Sequence, residues 1–105
     1  MMTTMQDRER AFEAKFALDE ELRFKAEARR DKLLGLWAAG LLGKADAEAY
    51  ANEVLAADFK QAGHEEVVRK LKADFDAAGV AQTEEQIRKR MLEFLAEAVQ
   101  QIQSN

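Results

Sequence analysis

A helical pattern begins near Asp7 and runs to about Leu41, and the three helical segments after it are roughly half as long. At 1.5 Å per residue the first would span about 50 Å and each of the others about 20–30 Å. Short helices cover only the part of a long one that they reach. A compact all-α fold therefore leaves Met1 to about Leu18 without a packing surface of its own. The expected architecture is a small antiparallel four-helix bundle, residues 19–105, with a long first helix preceded by a mobile N-terminal arm, residues 1–18.

The rest of the chain agrees with a helical domain of one core, for which 105 residues suffice. Proline is absent, so nothing breaks the helices from within. Cysteine is absent too, which excludes disulfides, thiolate metal sites and a cysteine nucleophile. A net charge of −4 argues against a general nucleic-acid binder, since phosphate neutralisation needs a surplus of Lys and Arg. Residues 1–40 carry eight basic and eight acidic side chains; residues 41–105 carry eight and twelve, so the later helices hold the acidic excess. No secretory signal is visible, and the longest apolar run, Leu33 to Gly43, is too short to cross a bilayer. A cytoplasmic protein without membrane insertion is expected.

Helix one shows apolar residues at Leu22, Ala26, Leu33, Leu36, Trp37 and Leu41, with Asp19–Arg23 and Glu21–Lys25 as i,i+4 ion pairs. Gly35 interrupts it and is expected to let a neighbouring helix approach; Gly40 and Gly43 mark its end. Asp46 can cap helix two, whose inward face reads Tyr50, Ala51, Val54, Leu55 and Phe59 before Gly63 ends it. Helix three places Val67, Val68, Leu71, Phe75 and Ala78 on one side and stops at Gly79. Thr83 and Gln86 form a capping box before helix four, where Ile87, Met91, Phe94, Leu95, Ala98, Val99 and Ile102 make the cleanest apolar stripe.

The arm differs in kind. Met5, Phe12 and Phe16 are its only large apolar residues between the first two and Leu18, set among Asp7, Arg8, Glu9, Arg10, Glu13 and Lys15. Phe12 and Phe16 lie four apart, on one side of a helix. So narrow a stripe on so short a helix is marginal in water, and such a segment gains order on a partner.

Catalytic chemistry has little to build on. His64, the lone histidine, stands at the start of helix three, where an exposed, structural or capping role is expected. Asp19-Glu20-Glu21 points to different sides of a helix, so no metal site is expected there. Gly35 and Gly40 have P-loop spacing, but Leu41 and Leu42 occupy the Lys and Ser/Thr positions. Lys25, Arg29 and Lys32, with Arg30 beside them, form a basic ridge. Its plain reading is a solvated face, and its alternative a weak nucleotide or phosphate contact near Trp37. A homo-oligomer in which two arms pair as a coiled coil is a further alternative, though the seam is short. Neither an enzyme nor a cofactor is expected.

The run from Asp7 to Phe16, Asp-Arg-Glu-Arg-Ala-Phe-Glu-Ala-Lys-Phe, leads into Asp19-Glu20-Glu21-Leu22-Arg23-Phe24-Lys25 and then into Ala28-Arg29-Arg30-Asp31-Lys32-Leu33-Leu34-Gly35-Leu36-Trp37-Ala38-Ala39. These residues closely resemble the zeta subunit of alphaproteobacterial F-type ATP synthases, a family of small inhibitors of ATP hydrolysis. The likeness covers nearly the whole chain and is strongest from Asp7 to Ala39. It implies a free monomer that attaches to the synthase at the inner membrane. Its arm would insert at a catalytic interface of the soluble head, beside the rotor stalk, and block rotation. Met5, Asp7, Arg8, Arg10, Phe12, Glu13, Lys15 and Phe16 would then bind the partner, with Phe12 and Phe16 as apolar anchors and Arg8, Arg10, Glu13 and Lys15 fixing the register.

Overall fold

The structure, a computed structural model, describes residues 20–60 and 63–103. Four helices make up the fold: α1 (Glu20–Leu42), α2 (Ala47–Asp58), α3 (Glu65–Ala77) and α4 (Glu84–Gln103). Helix α1 packs against all three others, α3 touches both α2 and α4, and α2 and α4 face each other diagonally without contact. The all-α bundle expected from the sequence is present. The part of helix one expected before Glu20, and with it the arm, lies outside the described residues.

Local signals set the helix ends. The Asp46 carboxylate accepts from the Ala49 amide at 3.0 Å and caps α2. Both bonds of the capping box before α4 are made: Thr83 N–H donates to Gln86 Oε1 at 2.8 Å, and Gln86 N–H to Thr83 Oγ1 at 3.1 Å. Gly43 and Gly79 adopt φ of +69° and +72°. Each closes its helix with paired bonds, Lys44 N–H to Ala39 O and Gly43 N–H to Gly40 O for α1, Val80 N–H to Phe75 O and Gly79 N–H to Asp76 O for α3. Gly40 lies inside α1 and does not stop it. Gly63 does not end α2 either; that helix closes at Asp58 with Phe59 as its cap.

The core joins Leu34, Ala38 and Ala39 of α1, Tyr50 and Val54 of α2, Val67, Val68, Leu71 and Phe75 of α3, and Ile87 and Met91 of α4. Helix α1 faces inward along a different line from the one its large apolar residues suggest. Its buried positions are Ala26, Arg30, Asp31, Leu34, Gly35, Ala38 and Ala39; Leu33, Leu36 and Trp37 are half-buried and Leu41 is exposed. Three neighbours crowd this helix, so small residues line the closest approach and larger ones fill the flanks. At Gly35 an added Cβ would sit 2.6 Å from Ala51 Cα, so the glycine lets α1 and α2 meet closely, as expected.

Phe59 and Ala78 leave the core stripes assigned to them. Both follow the last helical turn, and both are exposed. Phe59, 58% exposed, instead stacks on Phe24, 56% exposed, with ring centroids 5.6 Å apart. Trp37 makes an edge contact with Phe75 at 5.6 Å and a tilted one with Phe94 at 6.4 Å, while the Arg90 guanidinium covers its ring.

Candidate functional site

The residues proposed as partner-binding, Met5, Asp7, Arg8, Arg10, Phe12, Glu13, Lys15 and Phe16, all lie outside the described residues. The basic ridge lies within them. Lys25 and Lys32 are exposed and each meets an acid, Glu21 at 3.3 Å and Glu48 at 3.2 Å. Arg29 is exposed as well. Arg30 does not accompany them: only 3% of it reaches solvent, and it points into the bundle. Arg23 pairs with Glu27 at 3.2 Å, while Asp19, the partner expected for it, lies outside the described residues.

On another side of α1, lined by Arg23, Glu27 and Arg30, that helix and α4 border a groove of about 1120 Å³. Met91, Leu92, Leu95 and Val99 of α4 form its apolar wall, with Leu92 70% exposed. Arg23 and Glu27 of α1 and Glu65 at the start of α3 supply its polar rim. Arg88 grips Glu65 with two parallel bonds of 2.9 and 2.8 Å, which hold the Glu65 carboxyl below its ordinary range. The groove is thus apolar inside and charge-paired at its edge, a form suited to the side of a helix.

Arg30 lies at the inner end of the groove, within a cluster that the sequence reading missed. Its Nε and Nη2 donate to Asp31 Oδ1 at 3.0 and 2.8 Å. Nη2 also lies 3.3 Å from Asp58 Oδ2 and 3.0 Å from His64 Nδ1. His64 Nδ1 is 3.0 Å from Asp58 Oδ1, and Nε2 is 3.6 Å from Glu27 Oε1. One ring nitrogen cannot accept from Arg30 and donate to Asp58 at once, so the histidine tautomer selects which of the two bonds forms. His64 occupies the residue before α3 without capping it and is half-buried, so of the exposed, structural or capping roles expected of it the structural one remains, as a place in this cluster.

Electrostatics separates the two aspartates. Burial pushes the Asp31 carboxyl up to about 8; the Asp58 carboxylate adds to that push, and Arg30 offsets it only in part. Burial works against the charge on Asp58 as well, but its interactions with Asp31, His64 and Arg30 outweigh it and hold that carboxyl below its ordinary value. Among the described residues no group of three His, Asp or Glu side chains is placed to hold a metal ion. A sequence signal for the cluster did exist: Arg30 continues the four-residue spacing of Ala26, Leu34 and Ala38, which puts a charge on the inward line.

No helix among the described residues is long and apolar enough to cross a membrane. The family model described as ATPase inhibitor subunit zeta matches residues 2–101, which takes in the groove wall, the cluster and the leading segment together. Comparison with the curated proteins gave no match.

Proposed function

The chain belongs to the ATPase inhibitor subunit zeta family, and from that premise we propose that it restrains ATP hydrolysis by an F-type ATP synthase without being an enzyme itself. Residues 1–18 act as the inhibitory element. They enter a catalytic interface of the soluble head next to the rotor stalk, and residues 19–105 stay outside as a plug. Phe12 and Phe16, with Met5, anchor the element, and Asp7, Arg8, Arg10, Glu13 and Lys15 set its register. The protein is a monomer when free and reaches the cytoplasmic side of the inner membrane by way of the synthase.

The observation that carries this reading is the span of the family match. It runs from residue 2 to residue 101 and so includes the leading segment as well as the helices. The composition supports it: three basic and three acidic side chains flank two phenylalanines before Leu18, a pattern suited to docking and poor for forming a core.

The test is hydrolysis by the purified cognate synthase, titrated with the full chain and with a Phe12→Ala/Phe16→Ala variant. Aromatic anchors that cost about 2 kcal/mol or more on truncation predict a loss of roughly 30-fold or more in inhibitory affinity. Unchanged hydrolysis at saturating full-length protein would reject inhibition itself. Equal potency of the double variant would reject these two residues as anchors.

A further inference from the structure

Asp31 is fully buried and lopsidedly bonded. Both Arg30 donors reach its Oδ1, while Oδ2 meets no hydrogen-bond donor among the described residues. A carboxylate keeps half its charge on each oxygen, and burying one of them without a donor disfavours the charged form. A neutral carboxyl fits the same surroundings. Its carbonyl oxygen accepts from Arg30, and its hydroxyl can donate to the neighbouring Asp58 carboxylate, an interaction that raises Asp31 and lowers Asp58. Asp58 stands in the opposite condition, for Oδ2 faces Arg30 at 3.3 Å and Oδ1 faces His64 at 3.0 Å. One guanidinium thus serves two carboxyl groups, and only one of them is bonded as an anion.

We propose that Asp31 and Asp58 share a single proton at neutral pH, held on Asp31, and that its release loosens the junction where α2 and the start of α3 are pinned to α1. This inference goes beyond the inhibitory function and does not depend on it.

Charged groups from each neighbouring element bear on Asp31. Helix α1 contributes Arg30 and, further out, Glu27. Helix α2 contributes Asp58, and the residue before α3 contributes His64. Helix α4 contributes Arg88 to the same groove, where it is taken up by Glu65. The balance close to Arg30 is therefore one fixed cation against two carboxyl groups, and a second negative charge there would be buried and underpaired.

The sign follows from the upward displacement of the Asp31 carboxyl. The folded chain holds a proton that the unfolded chain gives up at about 4, so this contribution to stability is complete at low pH. It is lost progressively as the pH rises from about 4 to about 8, and no more is lost above that. Loss of the proton sets two anions against each other across the contact of Arg30 with Asp58, and the C-terminal end of α2 is the element left to move.

The experiment follows the carboxyl carbon of Asp31 by NMR in the full chain from about pH 5 to about pH 10. Titration near 8, together with shifts in the amides of Asp58 and His64, is the expected result; titration near 4 would overturn the proposal. Two variants complete it, read by denaturation midpoints across the same range. Asp31→Asn mimics the neutral acid and should lose the decline in midpoint between about pH 5 and about pH 8; a decline that persists unchanged overturns the proposal. Asp58→Asn leaves Arg30 to Asp31 alone and should move the titration of Asp31 to lower pH, so an unmoved titration would show that no proton is shared. His64→Gln should retain that decline up to about pH 8, and its disappearance in that variant would assign the effect to the histidine and overturn the carboxyl pair.

Discussion

Substituting Gly35 and Gly40 with alanine places the same methyl group twice in one helix, with opposite expected results. A Cβ at Gly35 would lie 2.6 Å from Ala51 Cα and 3.0 Å from Ala51 Cβ, whereas at Gly40 nothing lies within 4 Å. Carbon atoms settle at about 3.5–4.0 Å, so Gly35→Ala must part α1 from α2 by about 1 Å. The obstacle is backbone, and no rotamer change relieves it. Overpacking of this kind costs about 1–3 kcal/mol, and the gain in helix propensity returns about 1 kcal/mol. A net loss of up to about 2 kcal/mol predicts a fall of up to roughly 15 °C in Tm for a domain of this size. Gly40→Ala has only the propensity gain, about 0.5–1 kcal/mol, and should raise Tm by a few degrees. Thermal and urea denaturation of both variants measure the contrast. Equal stabilisation by the two substitutions would refute the close α1–α2 approach.

Other perturbations test other joints. Tyr50→Phe removes a hydroxyl that donates to the half-buried Asp74 Oδ2 at 2.6 Å at the edge of the core and should cost about 1 kcal/mol, measured by urea unfolding. Burial opposes the charge on Asp74, but bonds from Tyr50 and Lys70 more than compensate and hold its carboxyl below the ordinary range. Its contribution, like that of Asp58, is thus present above about pH 4 and lost as the pH falls further. Tyr50→Phe should accordingly move the acid unfolding midpoint to higher pH, and an unmoved midpoint would show that the hydroxyl does not hold the anion. Asp46→Ala deletes the cap of α2 and should cost about 0.5–2 kcal/mol by the same denaturation assay.

Features that depend on neighbours in the chain were readable before the structure. The caps at Asp46 and Thr83, the glycine stops at Gly43 and Gly79 and the inward stripe of α3 from Val67 to Phe75 all rest on spacings within one turn or two. The inward line of α1 was not read correctly, because the usual guide, large apolar residues at helical spacing, fails for a helix enclosed by three others. There the nearest contacts use Ala26, Gly35, Ala38 and Ala39, and Leu41 turns outward. Phe59 misled for another reason: the helical period was extended one residue past the end of α2. The Arg30–Asp31–Asp58–His64 cluster gathers positions from three separate stretches, and no spacing along the chain encodes that meeting. The groove is likewise a product of packing, formed between α1 and α4 beside the start of α3.

Removal of residues 1–18 bears most directly on how the protein acts. Hydrolysis by the cognate synthase is measured with the full chain and with the shortened one at matched concentrations, after circular dichroism has shown that the helices persist. Suppression by the full chain and none by the shortened one is the predicted outcome. Undiminished suppression by residues 19–105 would contradict it and move the inhibitory surface onto the helices themselves.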